Sequence, residues 1–168
     1  MKLSNTILFT ALNLFLLLSA APSSVLAQTD LGMREALYFT GSKTTQIDLK
    51  NDRYVVRGGT MQLKATDGMK CTGGFCEFNI GFIAFRTGDG NSALSSYGLL
   101  QVDSGGLVGN TIYFGPSETV KQGVLPLKLK TGMNKVTFTI DPYKKTPETN
   151  ERNNSITVSF NVAGAGKP

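Results

Sequence analysis

The chain has 168 residues, with 17 Lys and Arg against 12 Asp and Glu for a net charge of +5, and it contains two cysteines and no histidine. Without histidine the usual general base and the commonest metal ligand are missing. The positive excess is scattered rather than interleaved with stacking aromatics, which argues against a nucleic-acid partner. Lys2 precedes an apolar run at residues 7–18, broken only by Thr10 and Asn13, and Val25-Leu26-Ala27 offers the small residues that a signal peptidase reads. Residues 1–27 therefore read as a cleaved signal peptide. The run is shorter than the ~20 residues a membrane-spanning helix needs, and no cysteine sits at the cleavage point to carry a lipid. An exported protein, periplasmic or extracellular and without membrane insertion after cleavage, is the expectation. Residues 28–162 have the size of one domain, followed by a small, flexible tail at 163–168.

After a first dozen residues with few signals, the segments at 36–39 and 45–49 read as opening strands. A turn at Asn51-Asp52-Arg53 leads to a short extended stretch at 54–56, and residues 60–65 alternate, with Met61 and Leu63 opposite Gln62 and Lys64. Cys71 and Cys76 flank Thr72-Gly73-Gly74-Phe75, whose glycines can take the positive φ of a tight loop. In an exported chain they are expected to pair with each other. A redox motif usually spaces its cysteines two apart, and no histidine exists to complete a zinc set. Residues 76–86 form the longest strand candidate. Phe78, Ile80, Phe82 and Ala84 line one face, and Ile83 with Phe85 makes the far half apolar on both sides, as in a central strand. Asp89-Gly90 is a turn dipeptide. The glycine- and serine-rich stretch that follows holds a strand at 99–102, and Gly105-Gly106 to Gly109 lacks the Lys-Ser/Thr step of a phosphate cradle. Strands at 111–114 and 124–129 come next. The alternation of Lys128 and Lys130 with Leu127 and Leu129 marks a solvent-facing side.

The final hairpin is the strongest pattern. Residues 136–141 put Val136, Phe138 and Ile140 on one face. A thirteen-residue loop rich in Asp, Glu and Asn follows, and residues 156–162 return with Ile156, Val158, Phe160 and Val162 on one face. Short strands between Gly, Asn, Asp and Pro turns, with no amphipathic helix after the signal, argue an all-β antiparallel sandwich. The spacing of Asp141, Glu148, Glu151 and Asn153-Asn154 before a strand resembles the C-terminal signature of the CARDB family, the cell-adhesion-related domain found in bacteria. Upstream, Gln122-Gly123, the strand at 124–129 and Thr131-Gly132-Met133-Asn134 resemble the same family's glycine turns. The resemblance implies an immunoglobulin-like β-sandwich of about seven to eight strands. Family members commonly occur in tandem, whereas this chain is a single copy.

Two readings of the acidic loop stand side by side. In one, Glu148, Asn150, Asn153 and Asn154 staple the loop to neighbouring strands through their own hydrogen bonds. In the other, Asp141, Glu148 and Glu151 supply hard oxygens to calcium, although Lys144, Lys145 and Arg152 share the loop. No other cofactor is expected. Catalysis is not expected either, because a disulfide removes the thiols and two acids on one loop do not define a glycosidase pair. The functional expectation is a secreted, non-catalytic module that binds a protein or a surface polysaccharide at the cell envelope. A structural accessory of an envelope or secretion assembly is the alternative.

Overall fold

The computed structural model describes residues 29–43, 45–88 and 92–164. The expected signal peptide and the Asp89-Gly90 turn lie outside the described residues, as does all but the start of the tail. The described residues form eleven strands: β1 (Asp30–Met33), β2 (Ala36–Phe39), β3 (Arg53–Val56), β4 (Thr60–Lys64), β5 (Lys70–Thr72), β6 (Phe75–Thr87), β7 (Leu94–Val102), β8 (Leu107–Phe114), β9 (Val120–Lys130), β10 (Gly132–Ile140) and β11 (Ser155–Ala163). Single 3-10 turns at Ala65–Asp67 and Glu151–Asn153 are the helical elements among them.

Two sheets face each other. In the first, the 13-residue β6 is central. β9 runs antiparallel along one of its edges, while β1, β2 and β5 share successive lengths of the other, and β3 pairs with β2. The second sheet has the order β4-β11-β10-β7-β8. All its pairs are antiparallel except β4 with β11, so the sandwich is mixed at that one edge. From β6 onward the chain passes from the first sheet to β7 and β8 in the second, back to β9, and then to β10 and β11. β6 lies beside β9, and β7 beside β10. This is the B, C, C′, E, F, G progression of an immunoglobulin sandwich.

The strand count exceeds the expected seven or eight because short strands share an edge of β6. β1 was unannounced by its sequence, and β7 and β8 extend well beyond 99–102 and 111–114. The expected strand at 45–49 is instead a loop. Asp48 accepts from the backbone amides of Lys50 and Asn51, and Asp52 accepts from Asp48 N, so side-chain turn chemistry outcompetes a ladder. That loop lays Ile47 over Gly81, where a Cβ would meet the Ile47 side chain at 2.7 Å. Ile47, Ala36, Tyr38 and Ile83 form a small apolar cluster on the outer side of the first sheet. This explains why β6 is apolar on both sides.

Between the sheets, period-two alternation buries Phe78, Ile80, Phe82 and Ala84 of β6 with Leu125, Leu127 and Leu129 of β9. Against them pack Leu100, Val102, Ile112, Phe114, Val136, Phe138, Ile140, Ile156, Val158, Phe160 and Val162 of the second sheet. Asn134, fully buried, closes the β9–β10 corner. Its Oδ1 accepts from Lys130 N, and its Nδ2 donates to the carbonyls of Lys130 and Gly132.

Candidate functional site

The β10–β11 connection is built on hydrogen bonds from its own polar side chains. Asp141 ends β10 in the left-handed region at φ 48, with its backbone amide on the Tyr97 carbonyl. Its buried carboxylate accepts from Lys145 N at 3.1 Å and Thr146 N at 2.7 Å, which folds the first half of the loop into a closed turn. In the second half, Asn150 caps the Glu151–Asn153 turn by accepting from Arg152 N. The Asn154 carbonyl accepts from Ile140 N and closes the hairpin.

This second half is bound reciprocally to β1. Glu148 Oε2 accepts from Leu31 N at 2.9 Å and from Asn154 Nδ2 at 3.1 Å. From the opposite side, the Asp30 carboxylate accepts from Asn150 N and from Asn153 Nδ2, both at 2.9 Å. Burial pushes the Glu148 carboxyl above its ordinary value. The Leu31 amide and the Asn154 amide pull it down, and Glu151 and Asp141 add to the rise. Glu148 Oε1 and the Oδ1 atoms of Asn153 and Asn154 are buried without a hydrogen-bond partner.

The loop residues expected from the sequence therefore divide. Glu148, Asn150, Asn153 and Asn154 gather on Asp30 and Leu31. Asp141 serves the far end of the loop, and Glu151 lies 3.9 Å from Lys144 Nζ. Among the described residues no three acidic, cysteine or histidine side chains are grouped to hold a metal ion. Asp30 is the partner that sequence reasoning missed. It stands 120 residues from Asn150, in a segment whose only signal is a short Leu-Gly-Met run.

The cysteines lie opposite each other on β5 and β6 and are joined by a disulfide, with Gly73 and Gly74 at φ 61 and 81 in the turn between. The Gly74 carbonyl accepts from Thr131 N, which ties this hairpin to the β9–β10 corner.

Two exposed surfaces complete the inventory. On the second sheet, the Tyr97 ring lies against the β8 backbone at Gly109, where a Cβ would come within 2.5 Å of its Oη and 2.6 Å of its Cε1. Only glycine lets the ring lie there. Tyr143, 62% exposed, stands beside it with ring centroids 6.0 Å apart, and Lys145 Nζ lies 5.8 Å from the Tyr143 ring centre. On the first sheet, Tyr54 and Val56 of the edge strand β3 and Leu49 of the turn before it are more than half exposed. They line an open concavity of about 350 Å³ with Tyr38, Arg34 and Glu35.

No protein-family model matches the sequence, and no curated protein matches it. Among solved structures, the chain is similar to the CARDB domain of the PF1109 protein from Pyrococcus furiosus in complex with di-metal ions. The identity is 15%, the match covers 83% of this chain and 90% of that one, and the TM-score is 0.42. It is also similar to the apo-form Calx CBD1 domain, at 12% identity over 63% of this chain and 92% of that one, with a TM-score of 0.42. The N-terminal domain of PorA matches at 9% identity over 83% of this chain and all of that one, with a TM-score of 0.36.

Proposed function

We propose that the chain is an exported, non-catalytic immunoglobulin-like module that binds a protein or a surface polysaccharide at the cell envelope. The Tyr97–Tyr143 pair carries this reading. Two neighbouring tyrosines, one laid flat by Gly109 and one raised by the Asp141 elbow, form an amphipathic platform of the kind that recognition surfaces use. The absence of histidine and the pairing of both cysteines support a non-catalytic role, and the disulfide supports export to an oxidising compartment. Labelled mature protein should sediment with isolated envelopes, and a Tyr97→Ala/Tyr143→Ala variant of unchanged thermal midpoint should lose most of that binding. Full retention of binding by the double variant would sink the reading.

One observation favours the second reading, an accessory subunit packing against a larger assembly. β3 is a sheet edge with exposed Tyr54 and Val56, and its one charged side chain, Arg53, is engaged by Asp67 and the Gln62 carbonyl. Tyr54→Lys would weaken that docking and leave envelope binding through Tyr143 intact.

A further inference from the structure

The five strands of the second sheet contain no Asp or Glu, although the chain has twelve. Alternation turns Ser155, Thr157 and Ser159 of β11 and Lys135, Thr137 and Thr139 of β10 away from the core, and their inward neighbours are fully buried. Register sets Thr137 between Thr157 and Gln101, and Thr139 between Ser155 and Leu99. The hydroxyls of Thr137 and Thr157 are 2.9 Å apart, and those of Thr139 and Ser155 are 3.2 Å apart. The result is a hydroxyl-lined face about 20 Å long. Tyr97, Tyr143 and Lys145 stand at one end of it, and Lys135 lies further along. Neither lysine forms an ion pair among the described residues. Of the carboxylates in the loop at the tyrosine end, that of Asp141 is buried and committed to two amides, and that of Glu151 lies 3.9 Å from Lys144 Nζ.

We infer that this face binds an acidic polysaccharide, one whose sugar units carry carboxylates. The inference rests on the binding-module reading above and names its ligand class. Tyrosine rings offer flat surfaces to the C–H faces of sugar rings, and serine and threonine hydroxyls exchange hydrogen bonds with sugar hydroxyls. The ammonium groups of Lys135 and Lys145 complement sugar carboxylates, and strands without Asp or Glu leave Asp103, which follows β7 and is backbone-bonded to Lys135, as the carboxylate beside the far end of the face. A protein partner would call for a more apolar centre than this row of hydroxyls.

The test uses mature exported protein with its disulfide intact, titrated against polygalacturonate, neutral dextran, polyglutamate and a single-stranded oligonucleotide. Polygalacturonate should bind, with affinity falling as salt rises. Tyr143→Ala should weaken it roughly fivefold to tenfold, the worth of one aromatic contact. Lys135→Gln/Lys145→Gln should weaken it and flatten the salt dependence, whereas Lys128→Gln/Lys130→Gln on the opposite sheet should change it less than about twofold. Gly109→Val, which displaces the Tyr97 ring, should weaken binding at an unchanged thermal midpoint. Equal binding to polyglutamate or the oligonucleotide, or an equal loss in Lys128→Gln/Lys130→Gln, would overturn the inference by showing bulk charge alone. Dextran bound as well as polygalacturonate, or a protein ligand lost in Tyr143→Ala, would overturn it and leave the binding-module reading standing. Envelope binding that survives Tyr97→Ala/Tyr143→Ala would remove both.

Discussion

Phe82 of β6 and Phe138 of β10 stack across the two sheets, with ring centroids 4.2 Å apart and planes 24° from parallel. These strands hold the B and F positions, which antibody domains join with a disulfide. Here both cysteines belong to the first sheet, and an aromatic pair occupies the bridging place instead. Phe138 is fully buried, so Phe138→Ala opens a cavity between the sheets and should cost ~3–5 kcal/mol. Chemical denaturation measures this. A loss below about 1 kcal/mol would contradict the stacked arrangement.

The disulfide closes a very short loop. The unreduced protein should weigh two hydrogens less than the reduced form, and Cys71→Ser/Cys76→Ser should lower stability by ~2 kcal/mol or less, as loop entropy predicts. Two free thiols in freshly purified protein, never exposed to reductant, would refute the pairing.

The position of Glu148 gives a pH signature. Its folded carboxyl value is raised above the ordinary 4.5, chiefly by burial, so the folded chain binds this proton more tightly than the unfolded chain does. Its contribution to stability is full below the unfolded value and is lost as pH rises through the folded value. Glu148→Gln removes the charge and keeps an acceptor for Leu31 N. Relative to that variant, wild type should lose stability as pH climbs from about 4.5 toward neutrality. The opposite slope in paired denaturation curves would show that the carboxylate is favoured in the fold. Glu148→Ala, which strands the Leu31 amide, should cost about 1–3 kcal/mol at acidic pH and less as pH rises.

Calcium should not matter to the loop. Both oxygens of Asp141 are occupied by amides, and the three expected carboxylates form no metal-holding group. We expect the thermal midpoint to differ by less than about a degree between millimolar calcium and chelator, whereas an ion in ~100-fold excess over its Kd would add ~2.7 kcal/mol. A rise of several degrees that vanishes in Glu151→Ala would restore the ion-binding reading.

Most of the sandwich was legible because its central strands carry long period-two patterns. Residues 76–86, 124–129, 136–141 and 156–162 each have one face that can only be an interior. The strand β1 was not legible, since four residues are too few for periodicity and its ladder is completed by partners more than fifty positions away. The stretch at 45–49 misled because its alternation was real but its Asp48 and Asp52 had backbone amides within reach. The loop residues could be named from their types, whereas their grouping required knowing that Asp30 comes to meet Asn150 and Asn153. The tyrosine platform left one trace, Gly109, and a glycine in a glycine-rich stretch is read as a turn unless the ring above it is known.

The parallel contact between β4 and β11 governs when this molecule can become a structure at all. β11 is sandwiched between β4 and β10, and Asn161 reaches Gln62, 99 positions earlier in the chain. Until β11 is available, β4 has no strand to pair with in the second sheet and β10 has one bare edge, so the portion of the chain before β11 cannot finish the core. Closure over such separations is slow. A growing chain should therefore remain pliable until β11 has been made, and removal of residues 155–163 should abolish the whole fold rather than trim an edge from it.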